Sequence, residues 1–407
     1  MEYIKKNNMS FYALIFLIIF SIKISGRDYL GITILYNTLF IILLNKIFIK
    51  KYIIMKIKII YILFIYYFYI VFVDIYRLMF LKYSIINILN ILIYGFLPIT
   101  AFIIGLSISK KRNIEIIDKI IKIIVVIEFL ISIGQLYSPI LRKITLNIFS
   151  NYDKYAEKFE IGSPRVVGSI GNPNTFALFL FILLILLMNG FENKAKFRFL
   201  DIIICLICIY NIILTKSRTI FILMITYLCL YIIISKIKIK LKVLFLLILI
   251  CFTSLNTIQI NNVFGRIDKT SIQSMGNRKE IWNSALESKN KSEFELILGD
   301  SKLTSERFTK TTDNYYITIF IIYGSIGVLI YLINNIIILF YINKYIHVKY
   351  RLGLIISLIV IFISDITGTF NRNIKIEMFI FLLIGYLTVN GKSEKFNEVE
   401  YENFNNW

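Results

Sequence analysis

Runs of about twenty apolar residues recur along nearly the whole chain, and they constrain its fold more than any other feature. A helix that crosses the hydrocarbon core of a bilayer needs about 20 mostly apolar residues. Candidate spans fall near 11–25, 29–49, 57–80, 85–107, 115–136, 170–190, 199–215, 218–235, 241–259, 314–342, 352–369 and 373–390. Composition agrees: 58% of residues are hydrophobic, 17% are charged, and the mean hydropathy is +0.75. Soluble domains are about 45–50% apolar and about 25% charged. The pattern excludes a soluble enzyme, a disulfide scaffold and a disordered tail protein. It predicts an all-α integral membrane protein, a polytopic bundle of about 12 transmembrane helices. The first run follows Lys5 and Lys6 like a signal peptide. Ser25-Gly26-Arg27-Asp28 then lead straight into the next span without a small-residue cleavage pattern, so it reads as a retained helix.

The net charge of +21 is a topology signal rather than a nucleic-acid signal. Lysine and arginine crowd alternate short loops, as at Lys46, Lys50 and Lys51, at Lys110, Lys111 and Arg112, and at Lys236, Lys238 and Lys240. The intervening loops carry few, among them Lys23, Arg27, Arg77, Lys216 and Arg372. Cytoplasmic loops are the ones enriched in Lys and Arg, which predicts both termini inside. Residues 1–390 then form one polytopic membrane domain, followed by a polar cytoplasmic tail, 391–407. Two longer segments fall on the outer side, at about 137–169 and 260–313. Long loops in compact proteins are usually functional or disordered, and these carry enough aromatic residues to fold. Ile281, Trp282, Ala285 and Leu286 have helical spacing, which predicts an amphipathic helix over 278–290 near the membrane surface.

Cys205 and Cys208 form a C-x-x-C inside an apolar run. No thioredoxin-like context surrounds them, so they read as small core residues. No Cys/His set has zinc-ligand spacing. The interior of the predicted bundle is almost uncharged, with Asp74 and Asp365 near predicted outer ends. The polar chemistry gathers in the outer loops.

Arginine there opposes the charge rule, so each one needs a cause. Arg165 precedes Gly168-Ser169-Ile170-Gly171-Asn172-Pro173-Asn174-Thr175. Asn172 followed by Pro173 is a helix cap with proline at the first helical position, which accounts for Asn172 but not for Arg165. Arg218 lies in Thr215-Lys216-Ser217-Arg218, a tight turn between two spans. It either snorkels to lipid phosphates or faces a wet cavity. Arg278 and Trp282 share one face of a helix at i, i+4. Asp300 follows Gly299, and Asp313-Asn314 opens the next span. Asp313 reads equally as an N-cap or as a general base. Guanidinium groups hold phosphate oxygens in bidentate fashion and keep their charge. Outer arginines with one carboxylate therefore suit a pyrophosphate leaving group and an attacking hydroxyl. No metal ligand set accompanies them, and no cofactor is expected.

In this order the motifs resemble the O-antigen ligase and Wzy-type polymerase superfamily of bacterial surface polysaccharides. Arg165 leads into G-N-P-N, then come T-x-S-R at 215–218, R-x-x-x-W at 278–282, the Gly299 turn, and D-N-Y at 313–315 with Gly324 and Gly327. The similarity covers about residues 160–332. It implies a metal-independent glycosyltransferase, multi-pass in the bacterial inner membrane, that uses undecaprenyl-pyrophosphate-linked oligosaccharide on the outer face. By resemblance Arg165, Arg218 and Arg278 contact pyrophosphate and glycan, with Asn172, Asn174 and Trp282 beside them, and Asp313 and Arg278 are catalytic. A chain-length regulator is a partner the family implies, alongside the lipid bilayer. The ligase branch usually has His-Asn where this chain has Asp313-Asn314, and the sole histidine, His347, is predicted on the cytoplasmic side. That favours repeat-unit polymerase over ligase. A flippase is the alternative from another class, although such transporters show internal repeats and broken helices at midplane, and no repeat is evident here.

Overall fold

The computed structural model describes residues 12–21, 62–80, 95–108, 115–150, 152, 155, 159, 164–192, 199–234, 282–283, 293–299, 314–366, 368 and 373–388. Arg278, Asp300, Asp313, Cys251, the spans at 29–49 and 241–259 and the tail lie outside them. Among the described residues the regular structure is helical, apart from one isolated bridge between Ile346 and Thr388. In chain order the helices are α1 (Ile65–Phe80), α2 (Leu97–Ile108), α3 (Glu115–Tyr137), α4 (Pro139–Phe149), α5 (Pro173–Glu192) and α6 (Phe199–Leu214). They continue as α7 (Arg218–Ile234), α8 (Glu293–Leu298), α9 (Tyr315–Tyr345), α10 (Val348–Ser364) and α11 (Ile374–Leu387). A further helical segment covers 12–19.

Sequence explains why α5 sits at the centre. It is apolar around its whole circumference, and a helix of that kind must be buried. Every side chain from Phe176 to Met188 is buried, with α3, α6, α7 and α10 packed around it. Helix α11 is likewise buried along its full length, including Lys375 and Glu377 in its first turn. It packs most extensively on α2, where the backbones meet at Gly105 and Gly385. Helices Pro173–Gly190 and Tyr315–Tyr345 are each long and apolar enough to cross a membrane. Cys205 and Cys208 are buried core residues, and the Cys208 thiol donates to Leu180 O at 3.2 Å.

The bundle has two chemically different ends, and α11 measures the distance between them. Its first turn holds Lys375, which donates to Ser169 O at 2.8 Å. Its last residues meet the α9–α10 corner, where His347 N donates to Leu387 O at 3.2 Å. Fourteen residues separate these ends, roughly 20 Å at 1.5 Å per residue. At the His347 end Asp118 accepts from Tyr350 Oη at 2.5 Å and pairs with Lys349 at 2.8 Å. Lys122 pairs with the buried Asp201. His347 itself caps α10 by accepting from Lys349 N.

Helix α9 departs from the uninterrupted span expected over 314–342. On a continuous helix Tyr315 and Tyr331 would stand roughly 24 Å apart. Their ring centroids are 5.3 Å apart, so residues 315–323 fold back beside 325–331. The reversal is at Gly324, with φ 69 and ψ −171. Residues 325–345 still extend about 30 Å. Asn314 caps the first half, its side chain accepting from Ile317 N at 3.1 Å. The cap therefore falls on Asn314. Where the first half ends it meets the end of α8, which stops at Gly299 with φ 84. Arg77 donates to the carbonyls of both helix ends, Leu298 and Ile322, and pairs with Asp74 at 3.4 Å. A cation is well placed against the exposed carbonyls of a helix C-terminus.

Candidate functional site

The loop 164–172 is the hub of the end opposite His347. Helix α3 presents Glu128, Ser132 and Gln135 on one face, spaced by four and three residues, and all three are buried. Gln135 accepts from Val167 N at 3.0 Å and donates to Gly168 O at 3.5 Å. Glu128 accepts from both the backbone N–H and the hydroxyl of Ser169. Buried backbone groups need such partners. Lys375 closes the other side, donating to the carbonyls of Ser169, Ile19 and Ser21. The 12–19 helix, α3, α11 and the loop are thus tied around Ser169, whose N–H and hydroxyl Glu128 accepts and whose carbonyl Lys375 holds. Lys375→Met leaves the carbonyls of Ser169, Ile19 and Ser21 without their charged donor, and a hydrogen bond involving a charged group contributes about 1.5–3 kcal/mol. The expected result is a marked fall in the melting temperature of the detergent-solubilised chain.

On this support Arg165 is held by two fixed partners. Its Nε donates to Thr215 O at 2.8 Å and an Nη donates to Asn174 Oδ1 at 2.6 Å. Val166 N donates to Leu214 O. The two motifs that the sequence separates by some fifty residues, Pro164–Thr175 and Thr215–Arg218, therefore form one unit. Asn172 is the α5 cap, its Oδ1 accepting from Asn174 N at 2.9 Å and Thr175 N at 3.3 Å. Asn174 positions Arg165. Lys216 adopts φ 52, a left-handed conformation that makes the turn tight enough for Arg218 to open α7 immediately. Arg218 is half-buried at that helix N-terminus. A helix N-terminus already carries partial positive charge, so a guanidinium placed there raises the local potential and favours an anion. Tyr155 is buried nearby. Burial pushes its hydroxyl above the ordinary value, and Arg165 draws it partly back, so it is protonated at neutral pH.

Among the other sequence candidates, Trp282 is helical and half-buried. Arg278 and Asp313 lie outside the described residues. Asn314 is described, and its surroundings contain groups that the sequence reading did not single out. Tyr315 N donates to Asp365 O at 2.9 Å, and Tyr331 Oη donates to Asp365 Oδ2 at 2.8 Å. Tyr66 and Tyr315 share a hydrogen bond of 3.2 Å, and Tyr67 reaches Glu377 at 3.5 Å. Two buried carboxylates and a tyrosine cluster thus flank the start of α9. The signal for Glu128, Asp365 and Glu377 was present in the sequence, because ionisable residues inside spans are functional or paired by default.

The described helices form an apolar bundle, with an arginine loop and an arginine turn joined at one end and His347 at the other. A comparison with family models adds a likeness over part of the chain. Residues 203–332 match the family described as O-antigen ligase. Proteins of that family are polytopic membrane proteins of surface polysaccharide assembly that transfer lipid-linked glycans. The matched stretch runs from α6 through the Thr215–Arg218 turn into α9, and it excludes Arg165, Lys375 and Asp365. No curated protein and no solved structure matches the chain.

Proposed function

We propose that this chain polymerises undecaprenyl-pyrophosphate-linked oligosaccharide repeat units on the outer face of the bacterial inner membrane. The observation that carries this reading is Arg165, fixed between Thr215 O and Asn174 at the turn that holds Arg218. In this reading the chain has about twelve spans with both termini inside, and the Arg165 end faces outward. Arg165 and Arg218 hold the pyrophosphate, and Arg278 and Trp282 approach from the long outer loop with the glycan. The hydroxyl oxygen of an incoming repeat unit attacks the anomeric carbon of the growing chain. The bond from that carbon to the pyrophosphate oxygen breaks, and the electron pair leaves with polyprenyl pyrophosphate. The hydroxyl proton passes to Asp313, one residue before the α9 cap. Single displacement inverts the anomeric centre. The arginines stabilise the charge that develops on the leaving group, the kind of preorganised electrostatic contribution that dominates many enzymes.

The position of His347 supports polymerase over a histidine-dependent ligase, since it lies roughly 20 Å from the Arg165 end and caps α10. Partners in this reading are the lipid bilayer, the lipid-linked glycan and a chain-length regulator. Deleting the gene tests it. Collapse of the surface polysaccharide ladder to single repeat units supports polymerase. Long lipid-linked chains that fail to transfer indicate ligase, and cytoplasmic single units indicate flippase. Arg278→Ala is expected to abolish polymer while the protein still inserts, and Arg278→Lys to be nearly as poor. Asp313→Asn is expected to lose far more activity than Asp313→Glu; equal activity of the two variants removes the base role.

A further inference from the structure

Helix α4 has three chemically distinct faces. At about 100° per residue, Arg142, Leu146 and Phe149 share one sector, and all three turn into the protein. Leu146 packs with Val167 and Tyr155. Arg142 donates to Gln135 O at 2.7 Å and Leu136 O at 2.8 Å, satisfying the last carbonyls of α3. The opposite sector holds Ile140, Leu141, Ile144 and Ile148. Ile140 is 73% exposed, and Leu141 and Ile144 are each 48% exposed. A third, narrower sector holds Lys143 and Asn147, both exposed. An ordinary surface helix needs only a core face and a water face. Two apolar faces with one polar edge fit a helix that touches protein, hydrocarbon and water at once.

The outward apolar face also continues a surface already present. Along α3 the exposed residues Ile123, Val126, Leu130 and Tyr137 form one stripe, the side expected to meet acyl chains. Only Ser138 separates that stripe from α4, and Tyr137 at the junction is 72% exposed. Tyrosine is enriched at the membrane interface. We propose that α4 lies in the interface of the membrane leaflet at the Arg165 end, with Ile140, Leu141, Ile144 and Ile148 in the acyl region and Lys143 and Asn147 toward the headgroups. Such helices sit about 5–10 Å into the headgroup boundary.

This seating has a consequence for the arginine loop, which rests on the function proposed above. The C-terminal end of α4 is fixed to that loop: Ser150 Oγ donates to Gly171 O at 2.6 Å. Gly171, with φ 85, lies so close to Phe149 O that a Cβ would strike it. Lys375 also stands over the Phe149 ring at 5.5 Å. The depth of α4 in the leaflet therefore fixes the depth of Arg165, holding it at the level where the phosphates of a lipid-linked substrate lie.

The test is depth-dependent quenching in the full-length chain. Ile144→Trp and Asn147→Trp are reconstituted separately into phosphatidylcholine–phosphatidylglycerol vesicles with brominated acyl chains. The signal read is the increment over the two native tryptophans. The expected result is at least twofold stronger quenching at 144 than at 147. Equal quenching at both positions, or none at 144, overturns the proposal. Absence at 144, together with a dimer in detergent that Ile144→Glu dissociates, assigns the face to a second copy and overturns it likewise. Quenching does not depend on glycosyl transfer. Sided quenching in a protein that makes no polymer refutes the proposed function and leaves the interfacial helix standing.

Discussion

Arg165→Ala is expected to reduce surface polymer by at least about a hundredfold, the scale seen when one preorganised donor to a developing anion is removed. The comparison is made in a deletion strain carrying each variant at matched membrane levels, with the polysaccharide sized on a gel. A structural contribution must be separated from this effect. Arg165 serves Thr215 O and Asn174, and a hydrogen bond involving a charged group contributes about 1.5–3 kcal/mol. The loop keeps its anchors at Gln135, Glu128 and Lys375, so the chain still inserts and folds. Arg165→Lys distinguishes the two contributions. A single ammonium cannot reach both partners and still present a planar fork to phosphate, so lysine is expected to restore stability better than activity. A ladder of normal length in Arg165→Ala removes the pyrophosphate role for this residue.

Gly324→Ala is expected to cost folding rather than chemistry. With φ 69 and ψ −171, Gly324 occupies a region essentially reserved for glycine. Such strain costs of order 1–3 kcal/mol for a residue with a Cβ. The Cβ would also strike Ile297 O and the backbone of Gly299, so the strain is compounded by overlap between two backbones. The reversal would open, and with it the contacts of Tyr315 with Tyr66, Tyr331 and Asp365. The expected outcome is loss of most folded protein from the membrane and a lowered melting temperature for the remainder. A Gly324→Ala chain that melts like the parent shows that α9 does not need this reversal.

The proline and asparagine of the α5 start illustrate what local sequence can specify. Asn172 and Pro173 define a cap through bonds that reach only two or three residues along the chain, so the spacing alone was sufficient. The same holds for the apolar, all-round character of α5 and for the buried cysteine pair. The Gly324 reversal was not legible in this way. Gly324 sits in a continuous apolar run, and hydropathy reports only that the run avoids water, not which way it points. The cap showed the same limit, falling on Asn314 where its acidic neighbour had an equal claim by residue type.

By itself the sequence determined the class of protein and its local helix starts, because both depend on hydrophobicity and on hydrogen bonds between near neighbours. It also supplied the arginines and the order of their motifs. Only the tertiary structure decided that Arg165 and the Thr215–Arg218 turn are one unit, that Lys375 and Glu128 clamp the loop beneath them, and that Asp365 stands beside the start of α9. Those pairings join residues up to some two hundred positions apart. They follow from how apolar helices pack against one another, and composition and spacing along a single helix do not encode that packing.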